Sequence, residues 1–230
     1  MRIEAFILAW NEAELLPFTL KHYSFCDKIT VFDNYSTDGS DRIAQGMGCE
    51  VKKFGIPGVL DDKEYLKIKN NCWKGSVADW AIVCDTDEIL HFRPVSGTVA
   101  TTFGFNVVSR ETPKETLSEL TRGAPDTSYS KLVCFNPKAV KDINYVYGCH
   151  VANPRGDIRM SEEILPLLHY RCIGGPERLV KRHRQYRQRM SELNKRLGLG
   201  CHYLYDDDRR RKEWADLYDN SVEFSSLGIV

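Results

Sequence analysis

The sequence predicts an α/β protein in which a mostly parallel, Rossmann-like sheet with flanking helices is followed by a smaller β-rich half. Short apolar runs alternate with helical patterns through the first part of the chain, and the runs end in polar or carboxylate residues. The composition, 42% apolar and 28% charged, is that of a folded globular chain. Short strands joined by helices imply right-handed crossovers and a parallel sheet, whose ligand site lies at the carboxyl ends of the strands.

Residues 2–9, with Ile3, Ala5, Phe6, Ile7 and Leu8, read as a buried strand. Residues 12–23 follow as a helix, because Leu15, Leu16, Phe18, Thr19, Leu20 and Tyr23 recur at helical spacing. A second strand is predicted at 28–33, a polar turn at 34–39, a helix at 40–46 and a third strand at 50–54, ended by Gly55, Pro57 and Gly58. Residues 61–74 are helical in composition, and 79–84 form a fourth buried strand. From 95 to 147 the pattern changes to short β-rich pieces at 101–108, 130–135 and 144–147, with one helical stretch at 113–121. A further strand at 165–172 precedes the turn Gly174-Gly175-Pro176, a long helix at 177–197 and a last helix at 206–218. No repeat, linker or low-complexity tract divides the 230 residues, so the chain reads as one domain in three parts, 1–94, 95–173 and 174–230.

Thirty-two basic residues balance thirty-two acidic ones, so any contact with a polyanion must come from a local patch. The longest apolar runs, 5–10 and 80–84, fall far short of the ~18 residues a membrane helix needs. Glu4, Asn11 and Glu12 interrupt what would be a secretory signal, so the chain is expected to start at Met1. Its eight cysteines are irregularly spaced, without a Cys-x-x-Cys pair, and Cys84 and Cys134 sit in strand-like runs. They read as reduced thiols of a cytoplasmic protein, in which the sequon Asn34-Tyr35-Ser36 has no glycosylation meaning.

The strongest chemical signal is Ile82-Val83-Cys84-Asp85-Thr86-Asp87-Glu88-Ile89-Leu90, an apolar strand ending in carboxylates at i and i+2. In an extended segment Asp85 and Asp87 point the same way, and two hard oxygen ligands suit Mg²⁺ or Mn²⁺ carrying water and phosphates. A solvated acidic turn is the plainer alternative. The other strand ends weigh against it: the first closes with Ala9-Trp10-Asn11-Glu12, the second with Asp33-Asn34-Tyr35-Ser36-Thr37-Asp38-Gly39-Ser40. Such loops can hydrogen-bond a base and ribose, while Asp38 and Ser40 read as helix caps.

Taken together, Ala-x-Asn-Glu after strand one, Asp-Asn-x-Ser-x-Asp-Gly after strand two, Asp-x-Asp-Glu after strand four and the late Leu167-Leu168-His169-Tyr170-Arg171 resemble the family 2 glycosyltransferases, which have the GT-A nucleotide-sugar-binding fold. The resemblance covers 2–90 well and 98–144 weakly. It implies transfer from a nucleotide-diphospho-sugar, often a UDP-sugar, with 1–94 as the donor half and 95–173 as the acceptor half. Asp33 would lie near the base, joined by Ala9, Trp10, Asn11, Glu12 and Asn34. Asp85 and Thr86 would lie near the ribose, with Asp85, Asp87 and His169 around the metal. Lys69 would contact base or phosphate, although lysines on an amphipathic helix also serve simply as its wet face. Arg171, Arg178 and Lys181 could neutralise the leaving diphosphate. An inverting transfer needs a general base, for which His150 ranks ahead of Asp157 and Glu177. The processive Gln/Arg-x-x-Arg-Trp signature is missing, so a single addition is expected.

The stretch 177–196 carries a net charge of +6, suited to an anionic glycan, a lipid-linked sugar or modified DNA as acceptor, though the plainer and favoured reading is a soluble amphipathic helix. Two rival readings share these features. A sugar-phosphate nucleotidyltransferase would show a Gly-rich basic loop after strand one, where this chain has Trp10-Asn11-Glu12. A nucleic-acid-binding module would rest on the basic helix.

Overall fold

A computed structural model describes residues 1–224. Its centre is β1 (Ile3–Ala9), buried along its whole length. Side chains alternate across a strand, so Ala5 and Ile7 enter one apolar cluster while Phe6 and Leu8 enter another on the opposite face. Both faces are covered, as parallel sheets require. Helices α1 (Leu16–His22) and α2 (Ser40–Gly46) lie on the first side, and α3 (Asp62–Asn71), capped by Asp61, on the second.

Parallel pairing joins β1 to β2 (Lys28–Asp33) and β4 (Trp80–Asp85), and β2 to β3 (Glu50–Lys53). The register sets Ala9 opposite Asp33, and Leu8 opposite Asp85. The polar strand ends predicted from sequence therefore share one edge.

Beyond β4 the sheet becomes mixed. The short β8 (Cys134–Phe135) runs antiparallel to β4 and to β6 (Val99–Val108), and β6 also pairs antiparallel with β7 (Arg122–Pro125). The long β11 (Met160–Cys172) runs parallel to β6 and antiparallel to β5 (Glu88–Leu90). This places His169 between Asn106 on one neighbour and Glu88 on the other. A two-residue strand β12 (Val222–Glu223) pairs with β7, and β9 (Val140–Asp142) pairs with β10 (Arg155–Gly156) in a separate hairpin.

Several expectations are corrected. The stretch 113–121 is no helix; it holds one 3₁₀ turn, Leu117–Glu119, boxed by Thr116 and Glu119. The strand expected at 144–147 reduces to a bridge between Tyr145 and Ala152, and 130–135 reduces to β8, because Asp126 caps a 3₁₀ turn at Thr127–Tyr129. The long helix at 177–197 is two helices, α4 (Gly175–Arg189) and α5 (Glu192–Leu197). Met190 is extended between them: Leu60 N–H donates to the Arg189 carbonyl (2.6 Å), Ser191 N–H donates to the Leu60 carbonyl (2.9 Å), and Ser191 then caps α5. A tertiary bridge thus overrides helical periodicity. The last helix, α6 (Asp207–Asp219), is capped by Asp206.

The arginines of α4 mostly face inward. Arg182 bonds Glu12 and the Trp10 and Asn11 carbonyls, Arg187 the carbonyls of Tyr203 and Tyr205, Arg184 bonds Asp207, and Arg189 bonds Asn34. That helix braces the fold and offers no continuous basic face. All eight cysteines are free, and no helix among the described residues is long and apolar enough to cross a membrane.

Burial depresses five imidazoles: His183 to about 2, with Arg210 and Arg171 adding to the effect, His91 and His202 each to about 4, and His22 and His150 as well. Unfolded histidine binds its proton near pH 6.5, so the unfolded chain takes up protons that the folded chain refuses. Stability is expected to be complete above pH 6.5 and to fall as the pH drops from there toward 4. Thermal unfolding across that window tests this, and His183→Phe should shallow the decline.

Candidate active site

A cavity of about 550 Å³ opens at the carboxyl ends of β1 and β4, beneath α4. It brings together eleven of the residues singled out from sequence: Ala9, Trp10, Glu12, Lys69, Asp85, Thr86, Asp87, His150, His169, Arg171 and Arg178.

The turn that carries the carboxylates is pinned by its own backbone. Thr86 donates its N–H (3.0 Å) and hydroxyl (2.9 Å) to the Leu8 carbonyl, its own carbonyl accepts from Thr19 Oγ1 (2.6 Å), and Tyr170 N–H donates to the Asp87 carbonyl (2.8 Å). Each carboxylate then faces its own partner. Asp85 Oδ2 accepts from buried Lys69 Nζ at 2.7 Å. Asp87 Oδ2 lies 3.3 Å from His169 Nε2. Glu88 bonds Lys131, each side chain at most 5% exposed, and Glu88 Oε2 accepts from the Asp85 N–H at 3.0 Å.

The titration behaviour follows from these pairs. Burial pushes the Asp85 carboxyl up, against the pull of the Lys69 ammonium. Burial opposes ionisation of Asp87 too, but His169 holds it below the usual range. Glu88 lies well below that range, since Lys131 and Lys69 outweigh its burial. Burial disfavours the Lys69 ammonium, and Asp85 with Glu88 raises it well above an ordinary lysine.

Asp87 Oδ2 and His169 Nε2 form a carboxylate and imidazole donor pair that fits a divalent ion retaining water and phosphate ligands. Among the described residues no three of His, Cys, Asp and Glu converge on one point, and Asp85 is drawn toward Lys69. The His169 ring stacks on Tyr129, with centroids 4.0 Å apart. His150 Nδ1 lies 2.7 Å from the Ser128 carbonyl, which can only accept, so Nδ1 carries the hydrogen and Nε2 is left as an acceptor. Burial lowers its pKa, and Lys131 lowers it further.

Other sequence-selected residues lie off the cavity lining. Asp33 is fully buried; its Oδ2 accepts from Ser36 N–H (3.0 Å) and Lys53 Nζ (2.6 Å), while its Oδ1 has no partner. Asn34 donates to the Phe54 carbonyl (2.9 Å) and accepts from Arg189, whose guanidinium covers the Trp10 ring at 3.5 Å. Asn11, in the left-handed region at φ 50°, accepts from Thr37 N–H (2.7 Å) and so shapes the loop. Asp157 is exposed beside Arg159, Glu177 is exposed and paired with Arg211, and Lys181 is exposed on α4; the structure brings none of the three to the cavity.

Sequence reasoning missed Lys131, Asn106 and Tyr129. A trace of the first two is visible: each is a lone polar residue in an apolar run, Lys131-Leu132-Val133-Cys134-Phe135 and Phe103-Gly104-Phe105-Asn106-Val107-Val108, where burial demands a partner.

No protein-family profile and no curated protein matches the chain. Among solved structures it is similar to glucosyl-3-phosphoglycerate synthase from Mycobacterium tuberculosis, in complex with Mn²⁺, UDP and glucosyl-3-phosphoglycerate. That likeness has 17% identity, covers 45% of this chain and 44% of that one, and has a TM-score of 0.32. S. aureus TarS is similar at 14% identity over 81% of this chain and 39% of that one, TM-score 0.46. Mannosyl-3-phosphoglycerate synthase from Rubrobacter xylanophilus is similar at 15% identity over 48% and 41%, TM-score 0.32. The chain thus spans less than half the length of each.

Removing Lys131 leaves the Glu88 carboxylate buried and unpaired. Lys131→Met is expected to cost about 3–5 kcal/mol in denaturant unfolding, and adding Glu88→Gln should recover much of that loss.

Proposed function

We propose that this chain is a glycosyltransferase that moves one sugar from a nucleotide-diphospho-sugar, a UDP-sugar, to an acceptor hydroxyl with inversion. The observation that carries the reading is the Asp87–His169 pair, 3.3 Å apart in a cavity at the carboxyl ends of parallel strands. Those two side chains would hold Mn²⁺ or Mg²⁺, which when bound stabilises negative charge on the leaving diphosphate. Asp85, steadied by Lys69, faces the ribose, and Lys69 and Arg171 add positive charge near the phosphates. Trp10 serves the base from the cavity lining, and Asp33, fully buried behind it, acts indirectly by holding Ser36 N–H and Lys53. A base stacking on Trp10 displaces the Arg189 guanidinium from its ring.

As the acceptor hydroxyl attacks the anomeric carbon, its proton passes to His150 Nε2. The anomeric carbon to phosphate oxygen bond breaks, and its electron pair leaves with the diphosphate. The acceptor, a glycan, a lipid-linked sugar or a modified nucleic acid, enters past Tyr147 and His150, both of which line the cavity. Eight free thiols favour a cytoplasmic setting.

With UDP and Mn²⁺ at a hundredfold excess over Kd, stabilisation of about 2.7 kcal/mol is expected in thermal-shift measurements, and Asp87→Ala should abolish it. Indifference of the wild-type chain to every nucleotide and nucleotide-sugar, with or without Mn²⁺, would sink the reading.

His150→Gln should lower kcat by roughly 10²–10⁴-fold while leaving the UDP-induced shift intact. The base must be unprotonated, and its pKa is lowered, so wild-type kcat/KM should hold its plateau below the ordinary histidine range and drop only at lower pH. An acid limb unchanged in His150→Gln would remove His150 from the role.

A further inference from the structure

His169 is held on a face of the sheet by more than its strand. The parallel register of β6 and β11 sets Asn106 directly beside it, and both side chains are buried. His169 Nδ1 lies 2.9 Å from Asn106 Oδ1, and Asn106 Nδ2 donates to Asp126 Oδ2 at 2.8 Å. Asp126 is itself anchored, because its Oδ1 accepts from the Ser128 N–H at 3.0 Å and from the Ser128 hydroxyl at 2.6 Å.

The direction of this relay follows from donor and acceptor chemistry. An ionised carboxylate only accepts, so the Asn106 amide must turn its NH₂ to Asp126 and its oxygen to His169. The imidazole must then carry hydrogen on Nδ1, which leaves Nε2 as the atom presented to Asp87 and the cavity. Tyr129, one turn beyond Asp126, stacks on the ring and removes its freedom to rotate.

We infer that Asn106 is a positioning residue: the chain Asp126–Asn106–His169 fixes the imidazole tautomer and orientation so that Nε2 can serve as a metal ligand beside Asp87. This rests on the metal reading above. Orienting partners of ligating histidines typically contribute 10–100-fold to metal affinity.

The test is titration of the full chain with Mn²⁺ alone, following free Mn²⁺ by electron paramagnetic resonance. Asn106→Leu, which keeps the volume and removes the acceptor, is expected to weaken Mn²⁺ binding by about 10–100-fold. The double variant Asn106→Asp with Asp126→Asn exchanges donor and acceptor while preserving both bonds, so it should restore affinity. A merely structural role would not produce that rescue, and thermal unfolding of each variant shows whether it is folded. Wild-type affinity in folded Asn106→Leu, or a double variant as weak as the single one, overturns the inference alone. A wild-type chain that binds no Mn²⁺ overturns the metal reading and this inference together.

Discussion

Three carboxylates within four consecutive residues, at the end of a buried strand, set the terms for everything around them. Asp85, Asp87 and Glu88 repel one another, and the burial of Glu88 beside the two half-buried aspartates strengthens that repulsion. The fold answers with a separate cationic or protonatable partner for each: Lys69 from α3, His169 from β11, and Lys131 from the segment before β8. These partners come from three distant parts of the sequence, so the acidic turn acts as a hub on which the first and second halves of the chain must agree.

That agreement explains the architecture of the second half. β5 returns antiparallel on β11 so that Glu88 and His169 are neighbours, while β6 lies on the other side of β11 and supplies Asn106. The loop between β7 and β8 is then drawn into turns around Asp126 and Tyr129 that support the histidine. A region that looked weakly structured is shaped by the polar groups it has to satisfy.

The inner face of α4 plays a matching role from above. Its arginines bond the carbonyls and Glu12 of the β1 loop and the carbonyls after Gly200, while Leu179 packs against Val108, Cys172 and Trp214.

The first ninety residues were legible because each strand and helix there carries its own periodicity. Their strand ends carry the polar motifs whatever the tertiary contacts, and β2 and α2 fall at the residues predicted. Asp85 and Asp87 stood out by residue type and spacing, His169 and His150 only through the resemblance, and the structure brings all four to one cavity. Asp157, Glu177 and Lys181 lie exposed away from the cavity, and an exposed polar residue leaves no local mark in the sequence of which cavity it faces. Lys69 on α3, Lys131 before β8 and Asn106 on β6 found their roles only through tertiary packing of segments far apart in sequence. The break of the long helix at Met190 likewise needed Leu60, 130 residues earlier, to offer its backbone. Local periodicity determines which elements form; which buried charge meets which counterpart is decided only when the sheet is assembled, because a charge in low dielectric is stabilised by neighbours in space and not by neighbours in the chain.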